Sequence, residues 1–187
     1  MVKWDRPMSE DLVLMIEEFL GPSPDRGAEI GVFKGLASKK ILTTFPDIAM
    51  VFVDPWREWE EGDEYFFMKR TGKLSQKQWD SIYDTAIKNI NSANPGVSPA
   101  IWKETSEFVC KRYLDGTFDF VFIDACHTFK EVKKDIELWL PKVRQGGLLC
   151  GHDYGGGYRG VKRAVVSSLG EENINVRDNR LWGYVVK

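Results

Sequence analysis

The chain reads as an α/β protein: a single Rossmann-like, mainly parallel sheet with helices on both faces. Three observations point there. Helix-period apolar stripes alternate with short apolar runs, the pattern of repeated strand–helix units. The central runs are continuously apolar, as strands covered on both faces must be. A glycine turn follows the first run and opens a helix, the place where open α/β sheets bind ligands.

The elements follow in order. Leu12, Met15, Ile16, Phe19 and Leu20 form a helical stripe, with Ser9 as the cap and Gly21-Pro22 as the stop. Gly27–Gly31 predicts a short strand, and a helix runs from about Gly35 to Thr44. Ala49–Asp54 is the next buried strand. An irregular aromatic stretch follows, with Trp56, Trp59 and Phe66 among charges; a long irregular connection at about residues 55–80 reads as a lid or substrate wall. Trp79, Ile82, Tyr83, Ala86, Ile87 and Ile90 return at helical spacing. Ala100–Glu104 is a weaker strand, followed by a short helix with Phe108, Val109 and Leu114. The strand ending at Asp124 leads to a helix opened by the capping box Thr128-Phe129-Lys130-Glu131. The strand from Gly147 to His152, a glycine-rich loop and a helix with Val161, Ala164, Val165 and Leu169 come next. Two short strands, near Ile174–Arg177 and Leu181–Val186, break the alternation and predict an antiparallel edge.

A length of 187 residues fits one domain, residues 1–187, with no repeat or linker. A net charge of −2 offers no footprint for nucleic acid, and no apolar run approaches a membrane span. The polar Met1–Met8 lacks a signal core. Three cysteines, none at metal-site spacing, predict a reducing, cytoplasmic setting.

Two strand tips concentrate the reactive residues: Asp124-Ala125-Cys126-His127 and Gly151-His152-Asp153 hold the chain's only two histidines. Carboxylates suit divalent cations, and imidazole binds metals or moves protons near neutral pH. The turn Glu29-Ile30-Gly31-Val32-Phe33-Lys34-Gly35 is not the dinucleotide fingerprint, because its glycines are four apart. Asp54, ending the next strand, is placed to bind a ribose. Together these predict a nucleoside-type ligand.

The E-x-G-x-x-x-G turn, Asp54 and the segment FDFVFIDACHTFKEVKKDIELWLPKVRQGGLLCGHDY resemble class I S-adenosylmethionine-dependent methyltransferases. The branch resembled is the small O-methyltransferases, including macrolide-sugar and catechol enzymes. That resemblance implies seven strands in the order 3-2-1-4-5-7-6, the seventh antiparallel, with S-adenosylmethionine as cofactor. It implies cofactor contacts from Glu29, Gly31, Gly35, Asp54, Ser106 and Asp124, with Ser106 by the adenine. It implies Mg²⁺ held at Asp124 and at His152-Asp153, and a base at His127 where catechol enzymes carry lysine. His at 152 and 127 departs from that template, because Mg²⁺ prefers oxygen ligands. Each role competes with a structural one: His127 could support the following helix, Asp124 a turn, and Asp153 the glycine loop.

The expected reaction is methylation of a sugar or phenol hydroxyl, with the lid and a neighbouring subunit of a homo-oligomer shaping the pocket. Two other classes stay open: a non-catalytic nucleoside-binding protein, and a metal-dependent hydrolase or hydroxylase using the same tips. N-methylation of a base is disfavoured, since Ile123-Asp124-Ala125-Cys126 stands where an Asn/Asp-Pro-Pro-Tyr segment would be.

Overall fold

A computed structural model of the chain describes residues 7–58, 74–95, 98–155, 157–178 and 180–187. In chain order the elements are α1 (Met8–Leu20), β1 (Arg26–Ile30), α2 (Leu36–Thr44), β2 (Ala49–Val53), α3 (Gln76–Ala93), β3 (Ala100–Trp102) and α4 (Ser106–Cys110). They continue with β4 (Phe118–Ile123), α5 (Phe129–Trp139), β5 (Val143–Gly151), α6 (Arg159–Leu169), β6 (Asn175–Arg177) and β7 (Leu181–Val185). The sheet order is β3-β2-β1-β4-β5-β7-β6, parallel except where β7 joins β5 and β6. The predicted antiparallel edge is present.

Side-chain alternation along the strands divides the core in two. On β4, Phe120 and Phe122 face α1, α2 and α3, where Leu12, Ile41 and Ile90 are buried. Val121 and Ile123 face α4, α5 and α6, where Val109, Ile136 and Val165 are buried. Each fully buried phenylalanine contributes roughly 1.5–3 kcal/mol, so β4 is pinned from both sides. The reactive segment after Ile123 therefore starts from a fixed point.

Two local expectations change, and one helix start is added. Helix α1 begins at Met8, with the Pro7 carbonyl accepting from Glu10 N, so Ser9 lies inside the first turn and does not cap it. Strand β5 starts four residues earlier than the apolar pattern indicates. Val143 pairs with Phe118, but Arg144, Gln145 and Gly146 are exposed, and pairing resumes at Leu148 opposite Phe120. Ser75-Gln76-Lys77-Gln78 opens α3, with Gln78 Oε1 accepting from Ser75 N at 2.9 Å. That S-x-x-Q signature was readable in the sequence.

Trp56 is fully buried, its Nε1 donating to Phe33 O at 2.8 Å and its ring edge-on to Tyr83 at 5.0 Å. It is a core residue bracing the glycine turn, not part of a lid. Trp59 and Phe66 lie outside the described residues. No described helix is long and apolar enough to cross a membrane.

Candidate active site

Strand order reverses direction between β1 and β4, and the crevice beyond their carboxyl ends is the expected ligand site. Hydrogen bonds carry the sheet past the strand ends: Gly31 N to Val53 O at 2.9 Å, Asp124 N to Ile30 O at 2.8 Å, and His152 N to Ile123 O at 3.2 Å. A cavity opens there, walled by Gly31, Phe33, Asp54, Trp79, Ser106 and Asp124, with Ala125 and Cys126 beside them.

The glycine turn is shaped by sterics. Gly31 has φ +90°, and a Cβ on it would come within 2.3 Å of the Asp124 carbonyl oxygen. Gly35, at φ +70°, caps α2 and packs against the α3 backbone at Ala86, away from the cavity wall. Lys34 is exposed.

Asp54 holds this turn. Its Oδ2 accepts from Val32 N at 3.1 Å and Phe33 N at 2.9 Å, and its Oδ1 from Trp56 N at 2.9 Å. Burial raises its pKa, and the three N–H bonds oppose that shift without cancelling it. Glu29 is 1% exposed and sits behind the turn, outside the cavity wall, where Ser38 Oγ donates to it at 2.6 Å. The strand period puts it on the α2 side of β1 while Ile30 faces the other core. Burial lifts its pKa to about 8, Ser38 lowers it in part, and Asp124 and Asp54 add to the rise.

Ser106 lines the cavity, but its hydroxyl turns into α5. It donates to Asp135 Oδ1 at 2.6 Å and accepts from Trp139 Nε1 at 2.8 Å. Burial raises Asp135 to about 6, despite the Ser106 bond. Asp135 is absent from the sequence reading, yet it stands on the stripe Val132, Asp135, Ile136, Trp139. A charge on an apolar stripe is the signal that marks it.

The two strand tips meet. His127 Nε2 lies 2.6 Å from Asp153 Oδ2, and His152 Nδ1 lies 3.2 Å from Asp153 Oδ1 and 3.8 Å from Asp124 Oδ1. The helix cap that could have claimed His127 is Thr128, whose Oγ1 accepts from Glu131 N at 3.3 Å. The His127 ring instead stacks on Tyr158, centroids 4.5 Å apart. Asp153 adopts φ +60°, a left-handed conformation more open to Asp than to most residues, which sets its carboxylate between the two imidazoles.

Burial raises Asp124 to about 6, partly offset by His152 and His127 and reinforced by Asp153. Burial alone would raise Asp153 too, but bonds from both histidines hold it well below the usual carboxylate range. For His152 the burial that would lower its pKa is outweighed by Asp153 and Asp124, and the net shift is upward. Asp124, His152 and Asp153 each offer a ligand atom within 4.8 Å of the others. Two carboxylates and an imidazole make a mixed oxygen–nitrogen set, which suits a Mn²⁺-type ion better than Mg²⁺.

Residues 28–154 match the model of a family described as a methyltransferase domain. The chain belongs to this methyltransferase family. No curated protein matches it. Among solved structures it is similar to a Staphylococcus aureus protein provisionally assigned as a caffeoyl-CoA O-methyltransferase, at 14% identity and TM-score 0.65, covering 100% of this chain and 85% of that one. The O-methyltransferase TomG from Streptomyces achromogenes, involved in tomaymycin synthesis and in complex with SAM, shares 18% identity at TM-score 0.60, over 97% and 80%. An O-methyltransferase from Bacillus cereus in complex with SAH shares 16% identity at TM-score 0.61, over 98% and 84%. At such identities the likeness concerns the fold.

Proposed function

We propose that this methyltransferase moves the methyl group of S-adenosylmethionine to a hydroxyl oxygen of a small molecule, a sugar or a phenol. The observation that carries this reading is the His127–Asp153 pair, joined through Asp124 to a cavity at the switch point. The nucleoside lies against Asp54, the glycine turn and the Ser106 wall. The acceptor hydroxyl lies at the paired tips.

In the reaction the C–S bond breaks with its electron pair remaining on sulfur, and a C–O bond forms. The sulfonium supplies its own driving force, so the protein mainly aligns the partners and removes a proton. A neutral imidazole has one donor and one acceptor nitrogen. His127 is the base that takes the hydroxyl proton, its Nε2 held against Asp153 at 2.6 Å. Asp153 thus orients the base and stabilises the imidazolium that forms. A divalent cation held by Asp124, Asp153 and His152 would polarise the acceptor oxygen.

Calorimetry with S-adenosylhomocysteine and a methyl-transfer assay across sugar and phenol acceptors test this. Binding with turnover that falls in His127→Ala supports the reading. Binding without turnover, unchanged in that variant, favours a non-catalytic nucleoside protein. No binding favours a hydrolase or hydroxylase. The described cysteines are all unpaired, which favours a cytoplasmic setting. A second subunit completing the acceptor pocket belongs to the same proposal.

A further inference from the structure

Trp79 is 6% exposed and shares the buried stripe of α3 with Ile82, Ala86 and Ile90. Two facts set it apart from them. It stands in the cavity wall beside Phe33, Asp54 and Pro55. Its indole N–H is also buried, with no hydrogen-bond acceptor among the described residues. Other buried indoles are served: Trp56 donates to Phe33 O and Trp139 to Ser106 Oγ. Trp182 also lacks an acceptor, but it packs at Gly151 between β5 and β7 and does not line the cavity.

A buried N–H with no partner costs about 1–3 kcal/mol. Phenylalanine would fill the same packing without that cost. An acceptor supplied by a ligand accounts for the N–H, since the atom belongs to a residue of the ligand cavity.

The neighbouring carboxylate is in the complementary condition. Asp54 already accepts three backbone N–H groups, and a carboxylate offers about four lone-pair directions. One direction remains for a ligand donor. A vicinal diol needs more than that, because each hydroxyl both donates and accepts. The Phe33 ring links the two residues: it meets Trp79 edge-on, centroids 6.3 Å apart at 78°, while its own N–H binds Asp54.

We propose that the Trp79 indole N–H is a cofactor-binding donor which, paired with Asp54, recognises the ribose diol of the nucleoside. One hydroxyl donates to Asp54, and a diol oxygen accepts from Trp79. The indole has no acceptor lone pair of its own, so it selects an oxygen and disfavours a deoxy sugar. This rests on the nucleoside reading of the cavity given above.

The test is calorimetry on the full chain, wild type and Trp79→Phe, with S-adenosylhomocysteine and its 2′,3′-dideoxyribose analogue. The variant should bind S-adenosylhomocysteine about tenfold more weakly, and the two proteins should bind the analogue alike. Equal affinity of both proteins for S-adenosylhomocysteine, or the same loss with the analogue, overturns the Trp79 assignment alone. Absence of binding by the wild type overturns the cofactor reading and this assignment together. Should Trp79→Phe fail to fold, the assigned Trp79 indole resonance of the ¹⁵N-labelled wild type decides. A downfield shift with S-adenosylhomocysteine and none with the analogue supports the proposal; an unmoved resonance overturns it.

Discussion

Asp54 and Asp119 sit at opposite ends of the sheet and perform the same backbone task. Asp54, just past β2, gathers the N–H groups of Val32 and Phe33 with one oxygen. Asp119, near the start of β4, gathers those of Asp25 and Arg26 with one oxygen, at 2.7 and 2.8 Å. They differ in what meets the other oxygen. Arg144 Nε donates to Asp119 at 2.5 Å, and although burial pushes upward, Arg144 and the two N–H groups bring its pKa below the usual value. On Asp54 the other oxygen meets a third backbone N–H, from Trp56, and its pKa is raised. One end of the sheet is electrostatically finished; the other keeps a carboxylate against a cavity, with no cation on it among the described residues. Its charge complements a ligand that brings donors or a positive centre.

The contrast predicts that substitutions at the two ends separate into chemistry and stability. The largest effect belongs to His127→Ala, expected to lower turnover by about 10²–10⁴ with S-adenosylhomocysteine affinity unchanged, and to cost about 1–3 kcal/mol of stability as Asp153 loses a partner. A small loss of turnover would return His127 to a helix-supporting role. Next come Asp54→Ala and Asp119→Ala, each expected to cost about 1–3 kcal/mol in urea denaturation. Only the first should also weaken cofactor binding, by about tenfold or more in calorimetry. Weakened binding in Asp119→Ala would erase the distinction between the two ends.

A smaller effect concerns Glu29. Its carboxyl holds its proton more tightly folded than unfolded, from an ordinary 4.5 to about 8. The folded state therefore carries the extra proton between those values. The associated stability is complete below about pH 4.5 and is lost as pH rises through about 8, at up to roughly 1.4 kcal/mol per pH unit. Glu29→Gln should flatten that slope in denaturation curves taken across the window. An unchanged slope would assign the pH dependence to other groups. The smallest effect is that of metal: removal by chelator should lower turnover less than His127→Ala does, with Mn²⁺ restoring it better than Mg²⁺. Full restoration by Mg²⁺ alone would mean that His152 stands outside the ligand set.

The strand–helix alternation, the antiparallel edge and the meeting of the two strand tips followed from patterns the chain states locally, while the strand order came with the family resemblance. Apolar runs, the glycine turn and a terminal aspartate each describe their own segment. What the sequence concealed depends on contacts distant in the chain. Asp119 carries no signal of its role until Asp25, Arg26 and Arg144 surround it. Ser106 lines the cavity, but its hydroxyl goes to Asp135 and Trp139 on α5, a direction that no local pattern gives. Trp56 reads as a lid aromatic because its burial depends on Tyr83 and on the Phe33 carbonyl. Glu29 reads as a ligand contact because the motif gives its spacing but not which face of β1 it occupies.

The close approach of Gly31 to the Asp124 carbonyl has a consequence for how such a chain can change. No Cβ fits between the turn after β1 and the tip of β4, so in the proposed mechanism the span from the methyl donor to Asp124 follows the spacing of two adjacent strands. Loop length and loop composition do not set it. New acceptors can therefore be admitted by reshaping the connections around the cavity while the reacting span stays on a fixed gauge.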